Sequence, residues 1–127
     1  MRRLLVLATA VIAIITVTAA APASRTARSP LCRSLLPLSG DSIGPAVKAA
    51  LRDTRPTDRP QVVSASLAPA DHGRGPEAKF ECGARVWRRT VVVYITRRAF
   101  LPSASLSEKV FFVGRLGGGY SVWQVVH

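Results

Sequence analysis

The sequence predicts an α+β fold: one N-terminal helix packed on a curved antiparallel meander of four or five strands, after a cleaved signal peptide. Three observations carry this expectation. Residues 39–53 are the one stretch after the leader with apolar groups at helical spacing. Later stretches are rich in β-branched residues at strand length, and the last folds back on itself at a glycine pair. A helix followed by a run of strands places that helix across one sheet face.

The chain begins as an export signal does. Arg2 and Arg3 precede an 18-residue apolar run, residues 4–21, interrupted only by Thr9, Thr16 and Thr18. Ala21-Pro22-Ala23 then offers small residues where a signal peptidase reads them. Cleavage after Ala23 is expected, leaving an exported chain that starts Ser24-Arg25-Thr26. Its localisation is then secreted. The alternative is a membrane anchor, because residues 4–21 are at the lower edge of a spanning length. The organisation read from this is a signal peptide over 1–23, a flexible lead-in with an apolar patch over 24–38, and a single α+β domain over 39–127. Export also bears on Cys32 and Cys82. Outside the cytosol an isolated pair most often forms a disulfide, here closing a loop of about fifty residues.

The elements follow in order. Residues 31–38, LCRSLLPL, are an apolar patch that brings Cys32 to the body. In residues 39–53, Ile43, Val47, Ala50 and Leu51 form one apolar stripe. Gly44-Pro45 suits a helix start, and Asp41 or Ser42 can cap it. Lys48 and Arg52 fall toward the C-terminal end, where the macrodipole favours cations. Residues 54–60, TRPTDRP, read as a linker. Residues 61–68 read as a strand with Val63, Ala65 and Leu67 on one face. Residues 70–78, ADHGRGPEA, read as a loop with a solvated His72. No Gly-Lys-Ser/Thr follows its glycines and no helix is read after them, so it is not a phosphate-binding loop.

Residues 80–98, FECGARVWRRTVVVYITRR, read as the central strand region. Phe80, Cys82, Ala84 and Val86 alternate with polar groups, and Val91, Val93 and Ile95 fall on the other parity. The phase slips near Arg88-Arg89, where a β-bulge is expected; the rival is a short turn between two strands. After a loop over 99–107, residues 109–127 form a hairpin around Gly117-Gly118. Its register pairs Phe112 with Trp123, Val110 with Val125, Val113 with Val122, Gly114 with Ser121 and Arg115 with Tyr120. Phe112 and Trp123 are expected to lie beneath Ile43, Val47 and Leu51.

This element order, with the ending GGGYSVWQVV, resembles the cystatin-like and NTF2-like architecture, in which a curved sheet wraps a helix. The likeness covers residues 42–126. It implies either a binding module or a pocket enzyme. Residues 83–107 contain no Asp, Glu or His, so the acidic or histidine groups of the enzymatic members have no counterpart there. The chain also resembles the small basic secreted proteins of high-GC bacteria.

Charge narrows the partner. There are 18 basic and 7 acidic side chains, a net of +11. Such a balance suits an anionic cell-wall or surface polymer, or an acidic protein. Export argues against nucleic acid, as does Trp87 being the one aromatic close to the arginines. Membrane contact follows only from an uncleaved signal. Arg85, Arg88, Arg89, Arg97 and Arg98 are the candidate anion-binding residues, with no acidic residue between the first and the last. The competing reading is a solvated basic surface from GC-rich codon usage. No metal- or cofactor-binding motif occurs, and no Gly-x-Ser-x-Gly elbow. Glu81, Glu108 and His127 are the only His, Asp or Glu candidates for acid–base work on strands, each near an end. The expectation is a non-catalytic binding module, and the alternative a small hydrolase or isomerase with a pocket in the sheet.

Overall fold

The computed structural model describes Cys32 and residues 35–103 and 106–127. The expected signal and residues 24–31 of the lead-in lie outside the described residues. Four antiparallel strands make one open sheet in the order β1 (Pro60–Leu67), β2 (Thr90–Arg97), β3 (Glu108–Leu116), β4 (Gly119–Val126). Helix α1 (Ile43–Arg52) packs on one face. Helices α2 (Gly75–Cys82) and α3 (Ala84–Trp87) pack on the other. The α+β class is as the sequence indicates, but among the described residues there are three α-helices and both sheet faces are covered.

The reason lies in β2. Thr90, Val91, Val92, Val93 and Ile95 are all fully buried. A strand that is apolar on both parities needs a layer above and a layer below. On one side Val91, Val93 and Ile95 join Phe111 and Val113 of β3 under α1. Ala46, Ala49 and Ala50 are the buried residues of that helix, with Ile43, Val47 and Leu51 packed around them. Their small side chains let the helix approach the sheet closely. Ser42 holds the N-cap position without capping through its side chain. Its hydroxyl donates to the Ser39 carbonyl and accepts from the Tyr120 hydroxyl, which ties the helix start to β4.

The second layer corrects the reading of residues 80–86 as strand. They belong to α2 and α3. Ala78, Cys82 and Val86 are buried at intervals of four, the helical repeat, while Phe80 is 90% exposed. Every fourth residue also satisfies a period of two, so the alternation through Cys82 and Val86 fitted both. Pro76 in the first turn and Glu77 after it suit a helix start. A helix therefore does open here, at the second glycine, Gly75. Gly83, at φ 86°, separates α2 from α3, a backbone setting few other residues adopt. Arg88 and Arg89 form the turn from α3 into β2, neither a bulge nor a turn between strands.

Cys32 and Cys82 are joined, with Cα atoms 5.5 Å apart. They sit in the second core with Leu35, Ala68, Ala78, Val86, Val92, Val110, Phe112 and Trp123. Phe112 and Trp123 thus lie on the face opposite α1, not beneath its stripe. The hairpin register is as expected at Arg115↔Tyr120, Gly114↔Ser121 and Val113↔Val122. It then shifts, so that Phe112 faces Gln124 and Val110 faces Val126. The rings of Phe112 and Trp123 still meet, with centroids 5.5 Å apart and a tilt of 52°. Gly114 matters here: a Cβ on it would lie 2.3 Å from a Leu35 methyl, so glycine lets Leu35 cross β3.

Strand β1 also slips in phase. A register shift between Val62 and Ser64 turns Val63 outward, 64% exposed. Val62 and Ala65, rather than Val63, Ala65 and Leu67, supply its contacts to the α1 face. Among the described residues no helix is long and apolar enough to cross a membrane.

Candidate functional site

The five arginines singled out by sequence divide between the two ends of β2. At its start, Arg85 and Arg88 are exposed at α3. Arg89 is half-buried and donates from Nη1 to the Leu35 carbonyl at 2.7 Å. That bond, with Leu36 N–H donating to the Arg115 carbonyl at 2.8 Å, fastens the segment after Cys32 to the sheet. At the other end, Arg97 is buried and Arg98 exposed. Arg89 and Arg97 are eight positions apart along the strand, roughly 25 Å. They form two basic ends, not one patch.

Residues read as linker complete the second end. Pro56–Asp58 make one 3₁₀ turn, and Arg59 follows with φ 52°. Arg98 N–H donates to the Arg59 carbonyl at 3.2 Å and Ala99 N–H to the Asp58 carbonyl at 3.1 Å. The exposed Arg59 is thereby brought beside Arg98, with the exposed Arg55 just ahead of the 3₁₀ turn. Asp58 faces Arg97, with Oδ2 3.6 Å from Nη1. Sequence proximity had offered no acid to any of the five; the fold supplies this one. Parity was the signal that could have found it. Arg97 continues the series Val91, Val93, Ile95, so its side chain starts on the buried α1 side.

An open cleft of about 530 Å³ lies at this end of the sheet. Gln61, Val62 and Val63 of β1 line it with Thr96, Arg97, Arg98, Phe100, Pro102 and Ser107. The Phe100 ring lies under the Arg97 guanidinium, 4.2 Å from its centroid. The arrangement offers hydrogen-bond donors and positive charge against apolar walls.

The loop before α2 is a separate polar node. Asp71 Oδ1 accepts from Gly73 N–H at 3.0 Å, Gly75 N–H at 2.8 Å and the Tyr94 hydroxyl at 3.0 Å. The Tyr94 oxygen in turn accepts from Arg74 N–H at 2.9 Å. Gly75 is required by contact, since a Cβ would lie 2.2 Å from the Ala68 carbonyl oxygen. Burial pushes the Asp71 carboxyl up, but the donors from Gly75, Tyr94 and Ser66 outweigh it and hold its pKa below the usual 3.8. Asp71→Ala should therefore cost about 1–2 kcal/mol at neutral pH. A depressed carboxyl stabilises the fold above its unfolded pKa and ceases to as pH falls through the folded value. Urea unfolding of both proteins should thus show a gap at pH 7 that narrows below pH 3.8. A gap independent of pH would show that the carboxylate charge is not what orders the loop. His72 is exposed in this loop. Among the described residues, no three His, Cys, Asp or Glu side chains gather as a metal site needs.

No family model, curated protein or solved structure matches the chain.

Proposed function

We propose that this protein is a non-catalytic, exported binding module for an anionic extracellular partner, most simply a cell-wall or surface polymer. One observation carries the reading. Among the described residues only two ion pairs form, Arg74–Glu77 and Arg97–Asp58. Arg55, Arg59, Arg85, Arg88 and Arg98 are exposed with no acidic partner in that set. Unpaired guanidinium groups at both ends of a strand suit an extended polyanion that meets several charges along its length. Arginine also presents a planar fork that matches carboxylate and phosphate oxygens. The disulfide is compatible with export.

Retention on immobilised polygalacturonate tests this. Affinity should fall steeply between about 50 and 200 mM salt. The pairs Arg85→Ala with Arg88→Ala, and Arg59→Ala with Arg98→Ala, should each weaken retention more than Lys48→Ala with Arg52→Ala on α1. Arg89 is unsuitable for the test because it holds the Leu35 carbonyl. Equal losses from all three pairs would show that net charge alone acts, and the assignment to the strand ends would be abandoned.

A further inference from the structure

We propose that the cleft at Arg97 is a subsite for one carboxylate group carried on an apolar or sugar body; this rests on the anionic-partner reading and names the group that is gripped. Arg97 is the reason. Its side chain is only 7% exposed, yet Nε and Nη2 have no hydrogen-bond partner among the described residues. Buried polar atoms are nearly always paired, and an orphaned pair on a permanent cation points to a missing acceptor.

The Arg97 backbone is fixed at both ends, and its guanidinium is flanked by Phe100 and Asp58. Arg97 N–H donates to the Ser107 carbonyl at 2.6 Å, and the Arg97 carbonyl accepts from Phe100 N–H at 3.1 Å. Phe100 covers one guanidinium face. Asp58 lies beyond Nη1 at 3.6 Å, longer than the 2.7–2.9 Å typical of a charge-assisted hydrogen bond. Nε and Nη2 together remain as a planar two-donor fork that is closed to solvent, so a carboxylate seats on it as a neighbouring wall of the cleft yields. A carboxylate fits such a fork with two parallel bonds. The nearby Asp58 charge disfavours a dianionic phosphate more than a monoanion, while Arg98 on the rim adds attraction. Val62, Val63, Phe100 and Pro102 supply apolar walls for the body that bears the carboxylate.

The test uses the full chain and the Arg97 Nε–H signal in ¹H–¹⁵N spectra. Sodium hexanoate should shift that signal saturably. Hexanol, with the same tail and no charge, should not, and inorganic phosphate should bind more weakly than hexanoate. Arg97→Lys keeps the charge and removes the fork, so hexanoate affinity read from the remaining shifts should fall at least about tenfold. Val63→Asp leaves Arg97 intact and alters only an exposed rim residue. It should weaken hexanoate several-fold without moving the unfolding midpoint. No saturable shift of Arg97, equal binding of hexanol or phosphate, or undiminished binding in Val63→Asp would each overturn the subsite. Polygalacturonate retention that persists when hexanoate fails sinks the subsite alone. Hexanoate binding without salt-dependent retention supports the subsite and sinks the polymer reading.

Discussion

Trp123→Ala should lower the unfolding free energy by about 3–5 kcal/mol. Trp123 is 8% exposed and packs with Phe112, Cys82, Val86 and Val92 in the core between the sheet and α2–α3. Deleting the indole removes its own burial and leaves a cavity that a disulfide-tied layer cannot close by moving inward. Trp123→Phe should cost much less, below about 1.5 kcal/mol. The indole Nε1 has no hydrogen-bond partner among the described residues, so phenylalanine gives up no polar contact there. Urea unfolding followed by far-UV circular dichroism measures both. A Trp123→Ala loss under about 1 kcal/mol would mean that this side chain does not fill the second core.

Reducing the disulfide, or replacing Cys32 and Cys82 together by alanine, should cost about 4 kcal/mol by the loop-entropy relation for a sequence separation of 50. That is a large share of the roughly 5–15 kcal/mol typical of a domain. The bond fastens residues ahead of α1 to the last residue of α2, and both cysteines are themselves core residues. Oxidised protein opened in guanidinium should show no reactive thiol, and the reductant should lower its unfolding midpoint. An unchanged midpoint after complete reduction would show that the Leu35–Arg89 and Leu36–Arg115 bonds hold this segment unaided.

The reach of the sequence is clearest by element. The last hairpin was legible because a two-residue loop favours the primed turns, Gly117 supplies the positive φ of 53° that they need, and the turn dictates the nearest pairs. Four residues farther from the turn the register shifted by one, and no local feature near Trp123 announces it. Helix α1 was legible because Ala50 beside Leu51 puts its apolar stripe on both parities, and Gly44-Pro45 suits a helix start. Residues 75–87 were not, because Cys82 and Val86 are four apart and satisfy both repeats. Only the position of α2 against the sheet separates the two, burying Ala78 and leaving Phe80 in solvent. For the candidate site, the sequence showed an excess of arginine but not its sorting. Arg59 belongs beside Arg98 because β1 pairs with β2, placing Pro60 opposite Arg97.

By itself, then, the sequence determined the α+β class, the closing hairpin, the cysteine pair and the strong positive charge. Those follow from local backbone preference and composition, which need no distant partner. Tertiary structure alone decided that the sheet is covered on both faces, that Arg97 is buried against Asp58 and Phe100, and that the arginines form two ends. Each depends on which surfaces meet across long stretches of chain. The burial of Val92 on one side and Val93 on the other required two layers, and the second could come only from residues whose local pattern also suited a strand.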